Sequence, residues 1–225
     1  MDKSFYSNGK LLLTGEYAVL DGALSLAIPT KYGQQMTVNS IEESQLIWQS
    51  FDYIGSIWFE GVFSLNLEEI TFGMANPISQ TLASILKEAK KLNPEFLAGE
   101  TGYSVLTKLD FPRDWGLGTS STLINSIAQW ANIDAFQLLK NSFGGSGYDV
   151  ACAQNDHPIL YRLNEGVPQI EKSSFNPSFK NSMYFVHLNQ KQNSRAEIKR
   201  YSTQDIDKVA LVEKVSRLTN KVVGC

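Results

Sequence analysis

Cysteine and histidine are scarce in this chain: there are 2 of each in 225 residues. Cys152 and Cys225 are too few and too far apart for a disulfide framework or a thiolate zinc site. Neither His157 nor His187 has a second ligand at metal-binding spacing, so a metal held by protein side chains alone is not expected. Cys152 sits in an apolar stretch and reads as a buried thiol. Long apolar runs are also lacking, and nothing approaches the roughly 20 residues of a membrane span. The short apolar run near the N-terminus, flanked by Lys3 and Lys10, is broken by Glu16 and makes a poor signal peptide. A cytoplasmic location without a membrane partner is expected. Concentrated basic charge is missing too. The net charge is −3 with both signs interspersed, which argues against a nucleic-acid partner. An anionic ligand would have to be met by local positive charge or by backbone N–H groups.

What is present is an ordinary globular composition, 43% hydrophobic, in a length that allows one large domain or two modest ones. The first seventy residues read as β structure. Short β-prone runs at 10–14, 23–28, 35–41, 45–49 and 57–67 are separated by Gly, Asp, Asn and Glu-Glu-Ser. Asn76-Pro77 then offers a cap and first-turn pair, and Ile78, Leu82, Ile85, Leu86, Ala89 and Leu92 recur at helical spacing. Thr101 to Leu109 alternates as a strand. A second helix is expected from Thr119, a third from Asp134 to Ser142, and a strand over Pro158 to Leu163. Met183 to Leu188 is an apolar run that predicts a strand. Ser202 with Asp205 predicts a capping box, followed by a last helix along Leu211, Val215, Leu218 and Val222. One strand and one helix cannot close a second core, so a second domain over 179–225 is expected to be incomplete.

Three segments carry chemistry. In Gly116-Leu117-Gly118-Thr119-Ser120-Ser121 a strand leads in and an amphipathic helix leads out. Glycines let backbone approach a ligand, and the N–H groups of a helix's first turn favour an anion. The three hydroxyls can meet phosphate oxygens or Mg²⁺. A plain capped turn is the alternative. The loop is neither a Walker loop, which needs Gly-Lys-Ser/Thr, nor a dinucleotide fingerprint, which needs a third glycine. In Gly9-Lys10-Leu-Leu-Leu-Thr14-Gly15-Glu16-Tyr17 a lysine opens an apolar strand and a carboxylate follows it, although Lys10 alone reads equally well as a surface lysine. In Ser142-Phe-Gly-Gly-Ser146-Gly147-Tyr148-Asp149 three glycines surround one carboxylate, which alone reads as a turn stabilised by its own side chain.

In this order the three segments resemble the motifs of the GHMP kinases, the galactokinase, homoserine kinase, mevalonate kinase and phosphomevalonate kinase family. The first looks most like the mevalonate and phosphomevalonate branch, and the resemblance spans roughly residues 8 to 200. It implies an α+β fold: a domain similar to ribosomal protein S5 domain 2 over 1–178, then the start of a ferredoxin-like domain over 179–225. It implies an ATP-dependent kinase of a small-molecule hydroxyl or phosphate acceptor, mevalonate-like, with ATP and Mg²⁺ as cofactors. Backbone N–H groups of Gly116, Leu117, Gly118, Thr119, Ser120 and Ser121 would hold phosphates, and Ser120 or Ser121 would ligate Mg²⁺. Asp149 would take or orient the acceptor proton and Lys10 would stabilise developing charge. Glu16, Lys191 and Arg195 would face the substrate, with Lys108 and Arg113 as further cations.

The sequence also departs from the family pattern. Residues 122–148 hold no glutamate to act as a second Mg²⁺ ligand, and nothing like the family's third glycine-rich motif precedes Cys225. Alternatives are a sugar or other alcohol kinase of the same fold, a catalytically silent ligand-binding member, or a nucleic-acid module, which the acidic balance disfavours.

Overall fold

A computed structural model describes residues 2–72, 76–188 and 194–224. The β-prone N-terminal runs form β1 (Lys3–Leu12), β2 (Ser25–Ile41), β3 (Gln45–Phe51), β4 (Ile57–Ser64) and β5 (Ile70–Phe72). The runs expected separately at 23–28 and 35–41 are one 17-residue strand, β2. They stay continuous because β1 pairs along the whole stretch, from Lys3 opposite Val38 to Leu12 opposite Ala27. The register shifts between Asn8 and Lys10, a bulge that bends the pair. The strand expected over 57–67 ends early because Ser64 turns the chain, its hydroxyl donating to the Asn66 side chain at 2.5 Å.

Next come α1 (Pro77–Leu92), β6 (Gly102–Leu109), α2 (Thr119–Ala131), α3 (Ala135–Ser142), α4 (Tyr148–Ala153), β7 (Ile159–Asn164) and β8 (Val167–Lys172). The cap at Asn76 forms as the sequence implies. Its side chain accepts from the N–H groups of Ile78 and Ser79 at 2.9 and 3.0 Å, and the Ser79 hydroxyl accepts the Asn76 N–H in return. α4 has six residues, too few to show a period. β8 is mostly exposed and forms a hairpin with β7, so it carries no apolar alternation to announce it.

The strands make one mixed eight-stranded sheet in the order β5-β4-β3-β6-β2-β7-β8, with β1 paired to β2. β3 runs parallel to β6, and the other pairs are antiparallel. Helices α1, α2 and α3 cover one face. Trp48, Phe63 and Val105 from the strands meet Leu86, Ile124, Ile127 and Leu138 from the helices in the main core. β6 alternates cleanly, with Val105, Thr107 and Leu109 inward and Lys108 on the other face.

The C-terminal part differs from the expectation. Met183 to Leu188 forms no strand and is exposed except at half-buried His187, with Tyr184 and Leu188 at 84% and 76%. A strand exists only where a neighbour takes its backbone N–H and C=O groups, and no described strand lies beside this run. The capping box expected at Ser202 is also absent. Ser202 ends α5 (Ser194–Ser202), and α6 (Lys208–Val223) is capped by Asp207, whose carboxylate accepts from the Ala210 N–H at 3.0 Å.

Candidate active site

The segment 110–118 lies where β2 passes from pairing with β7 to pairing with β6. The Asp110 N–H donates to the Gly33 carbonyl at 3.1 Å, and the Lys10 N–H to the Leu117 carbonyl at 3.0 Å. The loop is therefore stitched to β2 at one end and β1 at the other. The stitch needs Gly9, since a Cβ there would sit 3.0 Å from the Leu117 oxygen and 2.7 Å from the Thr30 hydroxyl. Leu117 is buried with Leu109 and Phe111 and plugs the loop down.

Gly118 caps α2 in the left-handed region at φ 89. Its carbonyl accepts from the N–H groups of Ser121 and Thr122, both at 3.1 Å. The earlier first-turn amides have no partner inside the helix, which is the usual anion site. A Cβ on Gly116 would meet nothing within 4 Å, so there is room beside the loop. A Cβ on Gly118 would sit 3.1 Å from Lys10 Cγ. The Lys10 stem thus runs directly past the helix cap, and its ammonium lies 5.3 Å from the centre of the Tyr148 ring.

Tyr148 and Asp149 begin α4, which Gly147 caps with φ 84. The Ser121 hydroxyl donates to Asp149 Oδ2 at 2.5 Å, while Asp149 Oδ1 accepts from the Val150 N–H at 3.0 Å. The N-terminal turns of α2 and α4 are joined through this one bond, across 28 residues of sequence. A carboxylate at a helix N-terminus is also stabilised by the helix dipole. Behind it, burial pushes the Cys152 thiol up to about 12, with Asp149 raising it further and Lys10 opposing. Cys152 is thus the inert buried thiol expected from the sequence. Burial, then Glu16, then Asp149 push the Tyr148 phenol well above its usual range.

The structure therefore brings together Lys10, the loop 116–121 and Asp149; Glu16 is exposed, and its charge acts on Tyr148. Ser121 is buried against Asp149, and Ser120 is exposed. Lys108 points to the sheet face away from α2, and the Arg113 guanidinium lies 3.7 Å over the Trp58 ring. Neither is turned toward Asp149 by these contacts. Lys191 and the Arg195 side chain lie outside the described residues. The sequence reading passed over Tyr17 and Tyr148, although each directly follows or precedes a candidate carboxylate. Among the described residues no group of three or more His, Cys, Asp or Glu can hold a metal ion. Likewise, no helix among them is long and apolar enough to cross a membrane.

No family model matches the sequence, and no curated protein matches it. Solved structures do. The Methanococcus jannaschii mevalonate kinase superposes with a TM-score of 0.68 at 13% identity, covering 100% of this chain and 73% of that one. The chain has the GHMP-kinase fold. The Streptococcus pneumoniae phosphomevalonate kinase, solved with phosphomevalonate and AMPPNP, gives 0.61 at 16% identity over 98% and 76% of the two chains. The Lactococcus lactis galactokinase, solved with galactose, gives 0.58 at 16% over 78% and 48%. This chain thus spans under half of that galactokinase and about three quarters of the other two. Within the GHMP-kinase fold, the sequence-derived motifs fall on the sheet break and on the two helix N-termini joined by Ser121 and Asp149.

Proposed function

We propose that the chain is a GHMP-type ATP-dependent kinase of a small-molecule hydroxyl or phosphate acceptor, with a mevalonate-like acceptor as first choice and a cytoplasmic location. One observation carries this reading: the 2.5 Å bond from Ser121 to Asp149, which sets a carboxylate beside an anion-ready helix N-terminus. The fold likeness and the AMPPNP in the pneumococcal enzyme support ATP as the donor. The reading extends to the domain division, with residues 1–178 as the S5-like domain and 179–225 as part of a ferredoxin-like one.

When bound, ATP supplies the γ-phosphoryl group and Mg²⁺ neutralises phosphate charge. The backbone amides of Gly116 to Ser120 would hold the β- and γ-phosphates, with Ser121, whose N–H is taken by the Gly118 carbonyl, contributing its hydroxyl. A Ser120 or Ser121 hydroxyl oxygen would hold the cation, together with the nucleotide's phosphates. Ser121 donates its proton to Asp149, so its own lone pairs stay available for the cation. The Asp149 carboxylate accepts the proton of the acceptor hydroxyl as the new O–P bond forms and the bond to the β-phosphate oxygen breaks. Lys10 lies against Gly118 and beside Tyr148, where its charge would offset the negative charge that develops in the transfer. Positioning and charge neutralisation account for most of the rate in such transfers.

The test is ATP consumption by this chain over a panel of mevalonate, phosphomevalonate and galactose. ATP turnover with one acceptor is expected. Mg-ATP binding without turnover on any acceptor would replace this reading by the ligand-binding one.

A further inference from the structure

Glu16 and Asp149 are carried by different elements, and the turn that carries Glu16 is strained. Glu16 precedes Tyr17, which has φ 60 and ψ −42. The Ala18 N–H donates to the Glu16 carbonyl at 2.8 Å across Tyr17. This is the positive-φ γ-turn, a rare and strained conformation for a residue with a Cβ. Strained backbone persists only where its surroundings over-determine it. Those surroundings come from the other end of the chain.

The Tyr17 ring stacks on Tyr201 with centroids 5.7 Å apart and planes 25° apart. Tyr201 lies in α5 and is buried. Its hydroxyl donates to Asp21 Oδ2 at 2.5 Å, at the end of the short 3-10 turn Ala18–Asp21 that follows the strained residue. Lys208, the first residue of α6, donates to Asp21 Oδ1 at 3.3 Å, and its ammonium lies 5.2 Å from the Tyr201 ring centre. The strained turn is thereby gripped from both sides. Tyr17 is held by a ring, and Asp21 by a phenol and an ammonium.

We infer that Tyr201 is a positioning residue for the acceptor: it holds the strained turn that carries Glu16, the carboxylate of the proposed acceptor side. This rests on the kinase reading and extends the site to a helix some 180 residues away in sequence. The grip acts on the acceptor end only. The phosphate loop is fixed separately, by Lys10, Gly9 and Gly33, so loss of the grip leaves nucleotide binding in place.

The experiment pairs Tyr201→Leu, which removes both stack and hydroxyl, with Tyr201→Phe, which keeps the stack. Both are first confirmed folded by thermal melting. Amide exchange is then read at Ala18 and Val19, and steady-state kinetics with the panel acceptor that supports turnover. In Tyr201→Leu, exchange at Ala18 should quicken about tenfold while α2 amides stay unchanged. KM for the acceptor should rise about tenfold with KM for ATP within about twofold, and Tyr201→Phe should recover most of both. Equal rises in the two KM values, or unchanged exchange at Ala18, would overturn the inference. If the unmodified chain turns over no acceptor, the kinase reading falls and the positioning role with it. The exchange result then still decides whether the grip exists.

Discussion

α2 and α6 are both capped amphipathic helices, yet they are held in opposite ways. α2 buries nine of its 13 residues, among them Ile124, Ile127 and Trp130. α6 has 16 residues and buries one, Thr219. Apolar burial fastens α2 to the sheet. Hydroxyls fasten α6: Ser216 accepts the Leu24 N–H at 3.0 Å, and the Thr219 hydroxyl lies 2.8 Å from both the Leu24 carbonyl and the Thr14 hydroxyl. A helix held by burial gains stability in proportion to the area removed from water, about 25 cal/mol per Å². A helix held by hydrogen bonds gains only about 0.5–1.5 kcal/mol per bond. The first gives the proposed phosphate loop a firm platform, and the second leaves α6 held by a few polar bonds.

This contrast breaks if mutations in the two regions cost the same. Leu86→Ala, on the buried face of α1 in the core shared with Ile124 and Ile127 of α2, should destabilise by about 2–5 kcal/mol in chemical denaturation. Gly118→Ala should cost about 1–2 kcal/mol, because φ 89 suits only glycine. It should also lower turnover more than its stability loss explains, since the new Cβ presses on Lys10. Thr219→Val should cost about 1 kcal/mol and quicken amide exchange across α6 while α2 keeps its protection.

Alkaline pH sharpens the same comparison. Burial, aided by the Asp21 carboxylate, pushes the Tyr201 phenol up to about 12, and burial does the same to the Cys152 thiol. Both are raised above their ordinary values, so their contribution to stability is complete below about pH 9 and is lost as pH rises toward 12. Denaturation midpoints should fall over that window, and less steeply in Tyr201→Phe. At the small end, Leu188→Ala should shift stability by under about 0.5 kcal/mol, because Leu188 is exposed. A loss of several kcal/mol there would mean that the run is packed after all.

Legibility followed the same divide. α1, α2 and β6 were readable because the cap at Asn76, the helical spacing of Leu82 to Ala89 and the alternation of β6 are local signals that the core rewards. The meeting of the segment Gly116 to Ser121 with Asp149 was foreshadowed because glycines and chemistry-bearing residues fall within a few positions of each other in both segments. Met183 to Leu188 misled, since apolar content cannot say whether a neighbouring strand exists to pair with. The Tyr17–Tyr201 stack left no trace in the sequence, because nothing local links residues so far apart. Ser121 was one of three equivalent hydroxyls until the structure set it alone against Asp149.

The central claim is that Asp149, tied to the phosphate loop through Ser121, takes the acceptor proton without holding the nucleotide. Asp149→Asn, measured for turnover and for Mg-ATP binding in parallel, tests it most directly. The account predicts a fall in kcat of about 10²- to 10⁴-fold with the Mg-ATP dissociation constant within about twofold. Near-normal turnover would contradict it.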